Sequence, residues 1–219
     1  NLWFADQPVT TEAGTLFFYD FAIYVPAQGL ASARMHCNLP ANANLIFGMS
    51  HMHARGVGYQ ATLNGGDLSA PLPLFETTEW QGVEPLAYQP EVSVTGGQFI
   101  DYHCDYAGDG TERIEGPSAT NEMCMFIASY YPRADFATEV CGAPGSGPVF
   151  SGTNTCNETL NCVRSATDPV ASEQCLLGTC ENASTAVAAV VRCLFQNCGA
   201  ACQAQGAACA GTSAGTGAS

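Results

Sequence analysis

Two histidines spaced as His51-Met52-His53 are the residues whose types and spacing point most directly to chemistry. On a β-strand, side chains alternate between faces, so residues i and i+2 leave the same face about 6–7 Å apart. Two imidazoles held in that way supply two ligands of a metal site on one rigid element, with Met52 turned to the opposite face. A third ligand has to come from elsewhere in the chain. The remaining histidines are His36 and His103. The segment Asn121-Glu122-Met123-Cys124-Met125-Phe126 offers thioethers instead. On a strand, Met123 and Met125 share one face while Cys124 and Phe126 share the other. Met49, two residues before His51, is a further competitor. A thioether beside two imidazoles is a soft, three-coordinate set that favours copper, Cu(I) above all, over zinc. Three protein ligands leave a position open for O2 or substrate.

Composition narrows the partners. The formal net charge is −14, and all six basic residues are Arg. That argues against nucleic acid or an anionic membrane surface as a partner, because both need a basic patch. No apolar run reaches the roughly 18 residues that span a bilayer. Twelve cysteines in 219 residues point to an oxidising compartment. The expected location is therefore secreted, periplasmic or otherwise extracellular. The chain begins at Asn1 rather than Met, which reads as a leader already removed or as a piece of a longer protein.

The elements that must position the histidines follow from the pattern. Residues 1–142 read as β structure. Residues 16–25 predict one long aromatic-rich strand, and residues 44–53 a second that ends on the histidine pair. Residues 59–63, 91–95, 98–106 and 123–131 predict further strands. Asn64-Gly65-Gly66 and Gly96-Gly97 mark turns, and the prolines at 71–73 and 85–90 mark loops. The class that follows is mainly β, an antiparallel, jelly-roll-like β-sandwich. Residues 143–155, rich in Gly, Pro and Ser, read as a linker. Residues 156–209 hold eight cysteines and read as a small helical, disulfide-rich appendage, with 172–180 and 184–198 helical. The matching spacing of Cys175 with Cys180 and of Cys193 with Cys198 suggests two short helices stapled to each other. Residues 210–219 read as a flexible tail.

Taken together, these segments resemble the C-terminal catalytic domain of the copper type II, ascorbate-dependent monooxygenases, the family of peptidylglycine α-hydroxylating monooxygenase and dopamine β-monooxygenase. That domain carries a His-x-His strand and, much later, a Glu-Met-Cys strand whose Met is the third copper ligand. Here these are His51-Met52-His53 and Glu122-Met123-Cys124, with a following Tyr pair at Tyr130-Tyr131. The resemblance implies Met123 rather than Met125 or Met49 as the third ligand, and His51, His53 and Met123 as the catalytic, copper-holding set. It also implies that Cys104 pairs with Cys124 and Cys37 with Cys141. It covers residues 1–142 and not the tail.

Two departures from the family pattern bear on function. The family's preceding domain carries a second copper on three histidines, and His36 and His103 are too few to build that site. Both read as structural or surface residues. The peptide-amidating enzyme also has an Arg two residues before the first ligand His, where Met49 stands here, and a Tyr four after the ligand Met, where Ile127 stands. Without the guanidinium fork a carboxylate-ended peptide loses its anchor, and a more apolar or smaller substrate is expected. The leading expectation is a copper monooxygenase domain that hydroxylates a small-molecule C–H bond with O2 and electrons from ascorbate or another reductant, with an N-terminal domain bearing a second copper as a candidate partner. The alternative is a secreted copper-binding module without turnover.

Overall fold

Buried and part-exposed side chains alternate without a break from Gln98 to Ala107, the pattern of a strand with one face against a core and one toward solvent. The structure, a computed structural model, describes Asp6, residues 8–196 and residues 202–211. In chain order the strands are β1 (Gly14–Tyr19), β2 (Tyr24–Val25), β3 (Leu30–Asn38), β4 (Asn44–Met52), β5 (Gly56–Gly65), β6 (Leu72–Thr77), β7 (Leu86–Ser93), β8 (Gln98–Ala107), β9 (Arg113–Ile114) and β10 (Cys124–Tyr131), followed by helix α1 (Phe136–Glu139) and strand β11 (Gly147–Pro148). Helices α2 (Cys156–Ser165), α3 (Pro169–Leu177), α4 (Ser184–Gln196) and α5 (Gln203–Ala210) complete the chain.

The strands form two antiparallel sheets and a ribbon. One sheet has the order β1-β10-β4-β7, the other β11-β3-β8-β5-β6, and β2 pairs with β9. Inward residues of both sheets meet in one core: Leu16, Phe18, Phe126 and Tyr130 from the first, Met35, Tyr59, Ile100 and Tyr102 from the second. Tyr102 faces Phe126 across the sandwich with ring centroids 6.3 Å apart. Gly48 sits on this inner face, where a Cβ would fall 2.2 Å from the Tyr88 hydroxyl and 3.2 Å from the Phe126 ring. The Tyr88 and Phe126 side chains of the flanking strands β7 and β10 fill that space, so glycine is required there.

Several elements depart from the sequence expectation, each for a local reason. Residues 16–25 do not form one strand. Asp20 is buried, and its carboxylate accepts the amide of Ala22 at 2.9 Å. That turn ends β1 and sends β2 to pair with β9 instead. The proline stretches expected as loops carry β6 and β7. Both are edge strands, where a missing amide costs no ladder bond. Pro90 falls where the β4–β7 ladder is irregular, between the partners Ala87 and Val92. β3 was not expected, although Ala33, Met35 and Cys37 alternate as buried residues with Arg34, His36 and Asn38.

Residues 143–155, expected as a linker, are built into the fold. Gly147 and Pro148 pair with His36 and Met35, the Val149 amide donates to the Arg34 carbonyl at 2.8 Å, and Phe150 is buried. Phe150 belongs to a second core with Leu176, Ala183, Val187 and Val190, which also takes Ala22 from the β1–β2 turn. Arg192 on α4 donates to the carbonyls of Gly142 (3.1 Å), Cys141 (2.9 Å) and Ser146 (3.3 Å). The appendage is therefore anchored to the sandwich at two places.

The helices there are stapled differently from the spacing argument. Cys162 on α2 bonds Cys175 on α3, Cys156 on α2 bonds Cys209 on α5, and Cys193 bonds Cys202. The bonds run between neighbouring helices, and Cys175 pairs with Cys162 of α2 rather than with Cys180. Cys180 has no disulfide among the described residues, and Cys198 lies outside them, as do residues 212–219 of the expected flexible tail.

The seam between sandwich and appendage holds buried and part-buried acidic groups. Burial pushes the Asp20 carboxyl up to about 8 and the Glu173 carboxyl on α3 up to about 8, with Asp20 and Glu115 adding repulsion at Glu173. Both groups keep a proton in the folded chain that they release near pH 4 when unfolded, so folding takes up protons between those values. Stability is expected to fall as pH rises from about 4 to about 8, and Glu173→Gln should flatten that slope. Thermal unfolding followed by circular dichroism across this range checks both.

Candidate metal centre

His51 lies near the end of β4, with Ser50 and Met52 buried on either side and its own ring part-exposed on the outer face of the sheet. His53 follows one residue after the strand. Its carbonyl accepts the Gly56 amide at 2.9 Å, closing the tight turn by which the chain leaves one sheet and enters the other as β5. A Cβ on Gly56 would fall 2.8 Å from the Met52 side chain, so this corner needs glycine. The two imidazoles share one face, with centroids 5.2 Å apart and planes perpendicular.

β10 is the antiparallel neighbour of β4. Cys124 lies opposite Met52 and Met125 opposite His51. The ladder ends there, with His53 the first residue after β4 and Met123 the last before β10. Directly opposed residues share a face, so the outer face of the paired strands carries His51 and Met125. Met125 is only 3% exposed, whereas Met123 is part-exposed at the sheet's end. Met49 lies opposite Ile127, one row away from His51. Cys124 points inward and bonds Cys104 of β8, joining the two sheets directly behind this row. Cys37 of β3 bonds Cys141 after α1.

The surroundings fix the orientation of these groups. His53 Nδ1 donates to the Asn121 carbonyl at 2.9 Å. A carbonyl only accepts, so Nδ1 holds the proton and the Nε2 lone pair is free to coordinate. Burial, with His53 beside it, lowers the proton affinity of His51, which favours the neutral, ligand-ready imidazole. The Tyr106 hydroxyl donates to the Met123 carbonyl at 2.8 Å. Glu122 is anchored by main-chain bonds to Ile114 and Gly116. The Glu122 carboxylate is buried, accepts the Arg55 amide at 3.2 Å and lies 3.5 Å from the Arg55 guanidinium. Burial raises its pKa against the pull of Arg55. Arg55 also grips Asp109 through two bonds of 3.0 and 2.7 Å.

Arg55, Asn121 and Tyr106 were not singled out in the sequence. Arg55 was the most accessible of the three: it is one of six basic residues in the chain and stands two residues past His53. His36 and His103 lie elsewhere, on β3 and β8 of the opposite sheet. Among the described residues, no three His, Cys, Asp or Glu side chains converge to hold a metal.

Residues 18–152, more than half of the chain, match the family described as copper type II ascorbate-dependent monooxygenase, C-terminal domain. The chain belongs to this family. No curated protein matches it. A copper monooxygenase-type domain thus extends over the sandwich and the β11 segment as far as Gly152. The donor set of this domain, two imidazoles with thioethers on the adjoining strand, suits copper rather than a hard cation. The disulfides fit an extracellular setting. Among the described residues no helix is long and apolar enough to cross a membrane.

Arg55→Met would leave the Glu122 carboxylate buried without its ion partner. Removing one member of such a pair costs about 3 kcal/mol. The loss, read from urea unfolding, is expected to shrink at acid pH as Glu122 takes up a proton.

Proposed function

We propose that this domain holds one copper ion on His51, His53 and Met123 and hydroxylates a C–H bond of a small, largely apolar molecule with O2, using electrons from ascorbate or another external reductant. The observation that carries the reading is the β4–β10 register, whose last rungs, Met125 with His51 and Cys124 with Met52, bring the start of β10 beside the histidine strand. Family membership supports the metal and the reaction class.

Each residue has a role that follows from its setting. His53 is held by the Asn121 carbonyl in the tautomer that presents Nε2. His51 is kept neutral by burial. Met123, part-exposed at the sheet's end, adds a soft donor that favours the reduced metal. Copper bound there would supply O2 activation for removal of the substrate hydrogen. The neighbouring row across β1, β10 and β4 is Phe17, Ile127 and Met49. It is an apolar shelf one row from His51 with no guanidinium to hold a carboxylate, and this supports an uncharged, apolar substrate. A preceding domain with a second copper is a candidate partner in this scheme.

A second reading, copper binding without turnover, is favoured by the position of His36 and His103 on the far sheet, where they add nothing to this site. Ascorbate-driven O2 uptake that yields a hydroxylated product would exclude it.

Purified protein is expected to bind one copper per chain. His51→Ala and His53→Ala should each lose it, and Met123→Ala should weaken Cu(I) more than Cu(II) and remove the sulfur shell from the copper X-ray absorption spectrum. An unchanged copper affinity in His51→Ala would remove the reading. Because His51 is a weaker base than an ordinary imidazole, copper loading should persist to pH values below about 6.5 before protons compete. A copper titration across pH reads this out.

A further inference from the structure

The outer face of β3, β8 and β5, on the opposite side of the sandwich from His51 and His53, floors a groove of about 650 Å³ walled by residues 145–149 and by Ser184 and Thr185. Its floor is set by register. Arg34 lies opposite His103, and His36 opposite Asp101. Opposed residues share a face, so these four side chains form a square. Gln60 and Thr62 of β5 extend it on the other side of β8.

The chemistry of the square is specific. The chain has six Arg and four His against twenty acidic residues, yet an Arg and two His meet here. The one carboxylate inside the square is already engaged. Asp101 Oδ1 takes His36 Nδ1 at 2.8 Å, and its Oδ2 takes the Asn64 amide at 3.2 Å. The same contact leaves His36 with a free Nε2 that can take a proton. The His36 ring packs on Phe99 with centroids 4.3 Å apart, giving a flat, partly apolar plate beside a guanidinium. His103 lies 3.6 Å from Asp105, and Glu181 stands at the rim. A ligand suited to this floor is small and flat, bears one negative charge for the Arg34 fork, and has hydroxyls for Gln60, Thr62 and the imidazoles.

We propose that this groove binds the reductant, ascorbate or a like enediol anion, on Arg34, His36 and His103. The proposal rests on the copper reading above for its choice of ligand. Position supports it as well: His103 adjoins Cys104, which is bonded to Cys124, and Cys124 adjoins Met123. One disulfide thus joins the groove floor covalently to the strand of the third ligand, across the core between the sheets. An ascorbate monoanion oxidised there gives one electron, destined for the oxidised copper on the far face, and one proton, taken by His36 Nε2. It leaves as the radical anion.

The test separates this site from the copper site. Copper-free protein is titrated anaerobically with ascorbate and followed by two-dimensional NMR. Saturable shifts are expected at the amides around Arg34, His36 and His103. Arg34→Ala, a change at an exposed side chain, should weaken binding about tenfold or more, with Arg34→Gln as a check on the folded state, while His51→Ala should bind ascorbate as the parent does. In the copper-loaded protein, the rate of Cu(II) reduction should saturate with ascorbate and become linear in Arg34→Ala. Absence of shifts in this groove, or binding undiminished in Arg34→Ala, would overturn the proposal whether or not the copper site stands.

Discussion

The pairing of β4 with β10 is the constraint on which the candidate centre depends. Strand side chains alternate with a period of two, so a slip of one residue would turn His51 inward and Met52 outward, and set the wrong face of β10 beside them. Several independent contacts hold this register. Phe126 and Met52 are buried in the core, Gly48 leaves room for the Tyr88 hydroxyl, and the Cys104–Cys124 bond ties β10 to the opposite sheet. Beyond the ladder, main-chain bonds and the Tyr106 hydroxyl keep Met123 from swinging away. His51 is thus turned outward by the burial of Ser50 and Met52 on either side of it.

Much of the sandwich was legible because half-buried strands carry a period-two signature. The strand at 44–53, the strand at 98–106 and the turn glycines at 65 and 97 all have that local signal. What was not legible was context. Whether Pro73 and Pro90 end a strand or sit on one depends on whether the strand has a neighbour on that side, and a single chain segment does not carry that information. Asp20 looked like one polar residue in an aromatic run. Its effect came from burial and one hydrogen bond to Ala22.

The candidate site was legible in part for a similar reason. His-x-His and the later thioethers stand out by type and pattern, so candidate donors could be named. Their orientation could not, because His53 is held by a main-chain carbonyl at Asn121, a group every residue possesses. The ion pair of Arg55 and Glu122 spans 67 positions of sequence and only 3.5 Å of space. In the appendage, equal cysteine spacing looked like a pairing rule. The bonds follow which helices lie side by side, as with α2 and α3, and spacing does not encode that.

Three of the four strands at the borders of the two sheets, β6, β7 and β11, contain a proline: Pro73, Pro90 and Pro148. Proline lacks the amide that an incoming strand would need as its hydrogen-bond donor. The fourth border, β1, has α1 packed against it. Prolines that look like interruptions in the sequence therefore act as terminators. They stop each sheet from continuing into a second copy of the molecule.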